Sequence, residues 1–167
     1  MSALLEPPPQ LLQETSPEQP AVIAPDSYAY GVSMRNYDSA GALLDRTDAL
    51  RLRRFTNSAV TELEQPRRWG HEGDSEWVAE AERGEFAERN EVLKLRGDVR
   101  LRYVGDSVEF LTEAMRFNLA KRTALSEAPV RVRQGDHETR ADQLYAILDW
   151  KQARLKGNVR TLYVPEN

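Results

Sequence analysis

One unit of about thirty residues recurs along this chain, and the recurrence limits the fold more than any other feature. Ala81-Glu82-Arg83-Gly84-Glu85-Phe86 leads, 18 positions on, to Val99-Arg100. Thr112-Glu113-Ala114-Met115-Arg116-Phe117 leads by the same step to Val130-Arg131, and Ala141-Asp142-Gln143-Leu144-Tyr145-Ala146 to Val159-Arg160. A looser relative, Thr47-Asp48-Ala49-Leu50-Arg51-Leu52, runs to Glu64-Gln65-Pro66, which echoes Glu127-Ala128-Pro129. The starts at 47, 81, 112 and 141 lie 34, 31 and 29 residues apart. Repetition on this scale means one supersecondary unit stacked on copies of itself.

Within the units the hydropathy pattern has period two. Apolar and charged residues alternate through Leu93-Lys94-Leu95-Arg96 and Val99-Arg100-Leu101-Arg102, and again in Val130-Arg131-Val132-Arg133. Alternation sorts side chains onto the two faces of a strand. Turn signals separate the runs at Asp38 to Gly41, Gly70 to Asp74, Arg89-Asn90, Gly105-Asp106 and Gln134 to Asp136. Trp77 to Arg89 is rich in Ala and Glu and has helical propensity. The repeat overrules it, because its second copy holds the alternating Met115-Arg116-Phe117. Each unit therefore reads as a strand, a short turn and a second strand ending in Val-Arg. Four units and an entry strand near Tyr30 to Met34 predict ten or more short antiparallel strands, packed as a sandwich or an open trough.

The first 27 residues differ in kind. Six of the nine prolines precede Asp26, among Gln, Glu and Ser, which predicts a disordered or extended linker over residues 1–27 ahead of a folded domain at 28–167. Small residues at one repeat position, Gly97, Ala128 and Gly157, mark bulges or bends. The outward arginines Arg100, Arg131 and Arg160 read best as a solvated face paired with Glu82, Glu113 and Asp142.

Charge and composition remove several classes of function. A net charge of −4 and a pI near 5.3 argue against a nucleic-acid partner, which needs a basic field. With no cysteine there is neither a disulfide framework nor thiolate chemistry. The only histidines are His71 and His137, in turn-rich segments. No Gly-rich phosphate loop, nucleophile elbow or H-E-x-x-H motif is present. The reading is of a non-enzyme with no catalytic residues, no metal ligands and no cofactor. No window approaches 18 consecutive apolar residues, and the N-terminus carries neither a basic n-region nor an apolar h-region.

Tyr37-Asp38-Ser39-Ala40-Gly41-Ala42-Leu43, Ala49, Phe55, Leu63-Glu64-Gln65-Pro66, Trp77, Ala81 and Gly84 come in an order that resembles the LptC family of lipopolysaccharide-transport proteins. Leu95-Arg96-Gly97-Asp98-Val99 and Leu155-Lys156-Gly157-Asn158-Val159-Arg160 are similar to the L-x-G-N-V strands of the wider LptC, LptA and OstA-like group. The resemblance spans about Tyr28 to Val164. It implies an all-β fold, a twisted and incompletely closed β-jellyroll whose interior holds lipid A acyl chains. It implies a periplasmic location in a Gram-negative cell, with a tether to the inner membrane through an N-terminal helix that this chain lacks. It also implies receipt of lipopolysaccharide from the LptB/LptF/LptG transporter and delivery to LptA by strand pairing.

Parity names the inward set: Leu50, Leu52, Phe86, Leu93, Leu95, Val99, Leu101, Met115, Phe117, Leu119, Val130, Val132, Leu144, Leu148, Leu155 and Val159. Alternation alone leaves these as a sealed core or a lipid path, and the resemblance implies the second. By the same resemblance the last strand, with Leu155, Val159, Thr161 and Tyr163, is the edge toward LptA. The first strand, with Tyr30, Val32 and Met34, faces the transporter. Open edges also admit a homodimer. The alternatives are a soluble LptA-like bridge component and a structural β-module with a filled core and no lipid.

Overall fold

The computed structural model describes residues 23–72, 75–149 and 151–162. Most of the Pro-rich segment, Asp74 and Tyr163 lie outside the described residues. The chain is all-β, with no helix among the described residues. Among the described residues fourteen strands follow one another: β1 Ser27–Tyr37, β2 Leu43–Phe55, β3 Val60–Glu64, β4 Arg67–Glu72, β5 Ser75–Glu80, β6 Arg83–Ala87 and β7 Val92–Tyr103. Then come β8 Val108–Asn118, β9 Thr123–Ser126, β10 Val130–Gln134, β11 His137–Ala141, β12 Gln143–Ile147, β13 Gln152–Lys156 and β14 Arg160–Leu162. The helix-prone stretch Trp77 to Arg89 is strand, split between β5 and β6.

Every pairing is antiparallel, and the long strands belong to two banks at once. The first half of β7 pairs with β6, its second half with β5. The second half of β8 pairs with β9, its first half with β10. Strand β2 divides likewise between β4 and β3. One bank therefore runs β1-β2-β3-β6-β7-β8-β9-β12-β13, and the other β1-β2-β4-β5-β7-β8-β10-β11-β14. The banks fold over each other as a jellyroll, with the apolar faces between them.

The repeat is the corner where each strand pair passes from bank to bank. A line of backbone hydrogen bonds marks it: Gln65 N–H to Glu82 O at 2.8 Å, Glu82 N–H to Gly97 O at 2.9 Å, Glu127 N–H to Ala114 O at 2.8 Å and Asp142 N–H to Gly157 O at 3.0 Å. In two copies the turn residues are Gly97-Asp98 and Gly157-Asn158, all four with positive φ. A Cβ on either glycine would collide with the carboxyl group of Glu82 or Asp142, which lies over it. Glu82 and Asp142 thus close corners, and among the described residues no ion pair joins either to an outward arginine. Arg100 instead pairs with Asp98 at 2.9 Å. The second copy, Ala128-Pro129, has no left-handed pair. There the Thr112 hydroxyl donates to Pro129 O at 3.0 Å, and Ser126 Oγ accepts from Leu144 N–H at 2.7 Å.

Corners also reset parity. Along β2, Thr47 and Ala49 face inward, and after the corner Leu52 does. Leu50 is left on the outside at 52% exposure, so it is not an interior residue. In β8 the inward set passes from Phe110 and Thr112 to Met115 and Phe117, because Gly97 and Asp98 on β7 oppose the single Glu113. A bulge with unequal residue counts slips the register by one and turns the following side chains over. Gly70, read from the sequence as the start of a turn, lies inside β4, where it leaves room for the ring of Trp77.

Candidate functional site

The inward faces build one continuous apolar interior. Leu93, Leu95, Val99, Leu101, Met115, Phe117, Val130, Leu144 and Leu148 are buried in it. Leu52, Phe86, Leu119, Val132 and Leu155 are half-buried and pack against it. The sequence-predicted lining therefore comes together, with two exceptions. Leu50 faces out at the corner, and Val159, between β13 and β14, is 52% exposed.

Parity reading missed the residues that join the banks. Trp77 of β5 stacks on Phe117 of β8, with ring centroids 5.8 Å apart and planes at 11°. Tyr103 of β7 donates its hydroxyl hydrogen to Leu148 O at 3.2 Å, tying one bank to the other. Ala79, Phe110, Leu63, Ala124 and Ala141 complete the packing. Trp77-Val78-Ala79 carries no alternation, since all three are buried. The one signal for them was the aromatic itself, too large to be left on a solvated strand.

At one end the interior opens into a cavity of about 360 Å3. The β6–β7 turn brings Glu91, the β8–β9 hairpin brings Leu119 and Arg122, and Leu148 follows β12. The facing bank supplies Leu44 and Asp45 from β2, Arg68 and Gly70 from β4, and Trp77 from β5, with Asn36 of β1 at the rim. Backbone bonds stack the turns: Leu119 N–H to Glu91 O at 2.9 Å and Leu148 N–H to Arg122 O at 3.0 Å. Arg68 is largely buried here, paired to Asp45 at 3.0 Å and donating to Thr47 Oγ1 at 2.8 Å. Burial pulls its guanidinium below the ordinary arginine value, against the pull of Asp45. A larger hollow of about 680 Å3 lies on the outer face of the other bank, among alternating charges such as Arg53–Glu62 at 2.8 Å and Lys94–Glu85 at 3.6 Å. It is a solvated ladder of exposed ion pairs, each contributing little.

Among the described residues both lateral ends of the sheet are unpaired. Strand β1 bonds only β2, while β13 bonds only β12 and β14 only β11. Tyr30, Val32 and Met34 lie on β1, with Tyr30 outward beside Arg51 and Val32 opposite Ala49. Leu155 lies on β13 and Thr161 on β14, opposite Thr139. Among the described residues no three acidic or histidine side chains gather as a metal site, and no helix is long and apolar enough to cross a membrane.

The comparisons agree with this geometry. The model of a family described as "Lipopolysaccharide-assembly, LptC-related" matches residues 3–164. Among solved structures the chain is similar to LptH of Pseudomonas aeruginosa, described as the LptA-homologous periplasmic component of the lipopolysaccharide transport device. The TM-score is 0.53 at 8% identity, over 72% of this chain and 95% of that one, which shows a shared fold. No curated protein matches.

Proposed function

This chain belongs to the LptC-related lipopolysaccharide-assembly family, and from that premise we propose that it carries lipopolysaccharide through the periplasm with the lipid A acyl chains held between its two banks. The observation that carries the reading is one apolar interior running between two unpaired sheet edges. An exposed edge recruits a further strand through its free N–H and C=O groups. In this scheme β1 joins the LptB/LptF/LptG transporter of the inner membrane and β13–β14 join LptA, so neighbouring interiors become one path. The partner ATPase supplies the free energy.

The inward side chains are packed against one another, so a lipid enters by parting the banks. Such an exchange is mild. Each methylene buried contributes about 0.8 kcal/mol, which offsets the side-chain contacts given up. Met115 and the half-buried rim of Phe86, Leu119 and Leu155 are suited to repacking.

A photo-crosslinking phenylalanine analogue at Phe117 tests the interior, and one at Thr161 tests the edge. Lipopolysaccharide adducts from the first and an LptA adduct from the second are expected in intact cells. Absence of any lipid adduct at Phe117, Leu119 and Leu144 alike would leave the structural module with a filled core as the better account.

A further inference from the structure

Outward residues of the bank that ends in β14 form rows that cross it from strand to strand. One row alternates in charge from β2 to β7 through Asp48, Arg67, Glu80 and Arg100, each the register partner of the next. Past Leu111 of β8 the alternation stops. Arg131 of β10 lies opposite Arg140 of β11, and Arg140 lies opposite Arg160 of β14. All three arginines are exposed. Like charges set directly opposite one another destabilise a sheet. Glu138 relieves only part of this, accepting from Arg140 at 2.8 Å and from Arg133 of the neighbouring row at 3.5 Å. Arg140 foremost, with Arg133 and Arg131, holds its carboxyl below the ordinary value. Among the described residues no carboxylate forms an ion pair with Arg131 or Arg160.

Strand β14 has no second neighbour among the described residues, and a strand added there lies about 4.8 Å beyond it. The outward side chain that such a strand sets opposite Arg160 takes the next place in the row. A carboxylate at that place gives Arg160 an opposite charge and resumes the alternation seen from Asp48 to Arg100. A second copy of this chain does not supply it. The edge strands are β1, β13 and β14, and none of the three contains an aspartate or a glutamate. β13 instead turns Arg154 and Lys156 outward, on the parity opposite to the inward-packed Leu155. We propose that β14 selects a strand of a different protein, one whose outward face carries a carboxylate opposite Arg160. The assignment rests on the strand-addition reading above and gives the incoming strand its chemistry.

The test uses the full chain and purified LptA of the same cell, with affinities from biolayer interferometry at low and at high sodium chloride. Binding to the wild type is expected to weaken with salt. Arg160→Glu should weaken it about tenfold at low salt and remove the salt dependence. Arg160→Lys keeps the charge and should keep both the affinity and its salt dependence. Arg89→Glu makes the same reversal on an exposed turn between β6 and β7 and should change neither. Unchanged affinity and salt dependence in Arg160→Glu overturn the assignment. The arginines are then charges that blunt an edge, and strand addition still stands. An equal loss in Arg89→Glu makes the effect one of net charge and overturns the assignment too. So does self-association of the wild type as tight as its binding to LptA. If LptA neither binds the wild type nor gives an adduct at Thr161, the assignment and the strand-addition reading fail together.

Discussion

Val99, Val130 and Val159 hold one position of the repeat in three surroundings. The first two are sealed, while Val159 is 52% exposed. Val130→Arg should therefore abolish cooperative folding, because an unpaired charge in that interior has no partner. Val159→Arg should shift stability by no more than about 0.5 kcal/mol, as surface changes do. Thermal melts of the two variants check the contrast. Gly157 offers a second test. Its φ of +76° and the overlying Asp142 both oppose a side chain. Gly157→Ala should cost roughly 1–3 kcal/mol in urea unfolding. Adding Asp142→Ala should recover only part of that loss, since it relieves the collision and not the backbone.

Among the strands, the edges and the centre differ most. β1 crosses both banks, bending at Gly31 with φ +58° opposite the corner of β2, yet it rests on β2 alone and is exposed along almost its whole length. β7 and β8 have neighbours on both sides and carry most of the interior. Local opening follows such differences in support. Amide hydrogen exchange should find β1, β13 and β14 opening well below the global unfolding free energy, and β7 and β8 exchanging only through it. Uniform protection from β1 to β14 would count against edges free to accept a partner strand.

For the whole molecule, the jellyroll closes at its mouth through Tyr103. Burial first, then the charges of Asp149 and Asp106, push its phenol up to about 12. A folded-state pKa above the ordinary 10 favours the neutral form. Its contribution to stability is therefore complete below pH 10 and is lost as pH rises through 12. Urea midpoints measured from pH 9 to 12 should fall more steeply for the wild type than for Tyr103→Phe, which has no phenol to ionise. Tyr103→Phe also loses the hydrogen bond to Leu148 O, so its midpoint should start lower at pH 9.

Period-two alternation and an 18-residue step between matching motifs were enough to read strands, their stacking, their inward faces and, through the Leu-x-Gly-Asp/Asn-Val ends, the family. These are local properties, fixed by which side chains alternate and which turns need glycine. The sequence could not show that each repeat is a corner between banks. That depends on the two-against-one count of Gly97-Asp98 over Glu113, which exists only once β7 and β8 are paired. Leu50 was turned outward by a reset of parity at a corner, and Val159 lies exposed between β13 and β14. The Trp77–Phe117 stack and the mouth of Arg68, Arg122 and Leu148 join residues tens of positions apart. Only closing one bank onto the other brings them together, and with them the polar entrance to an apolar interior.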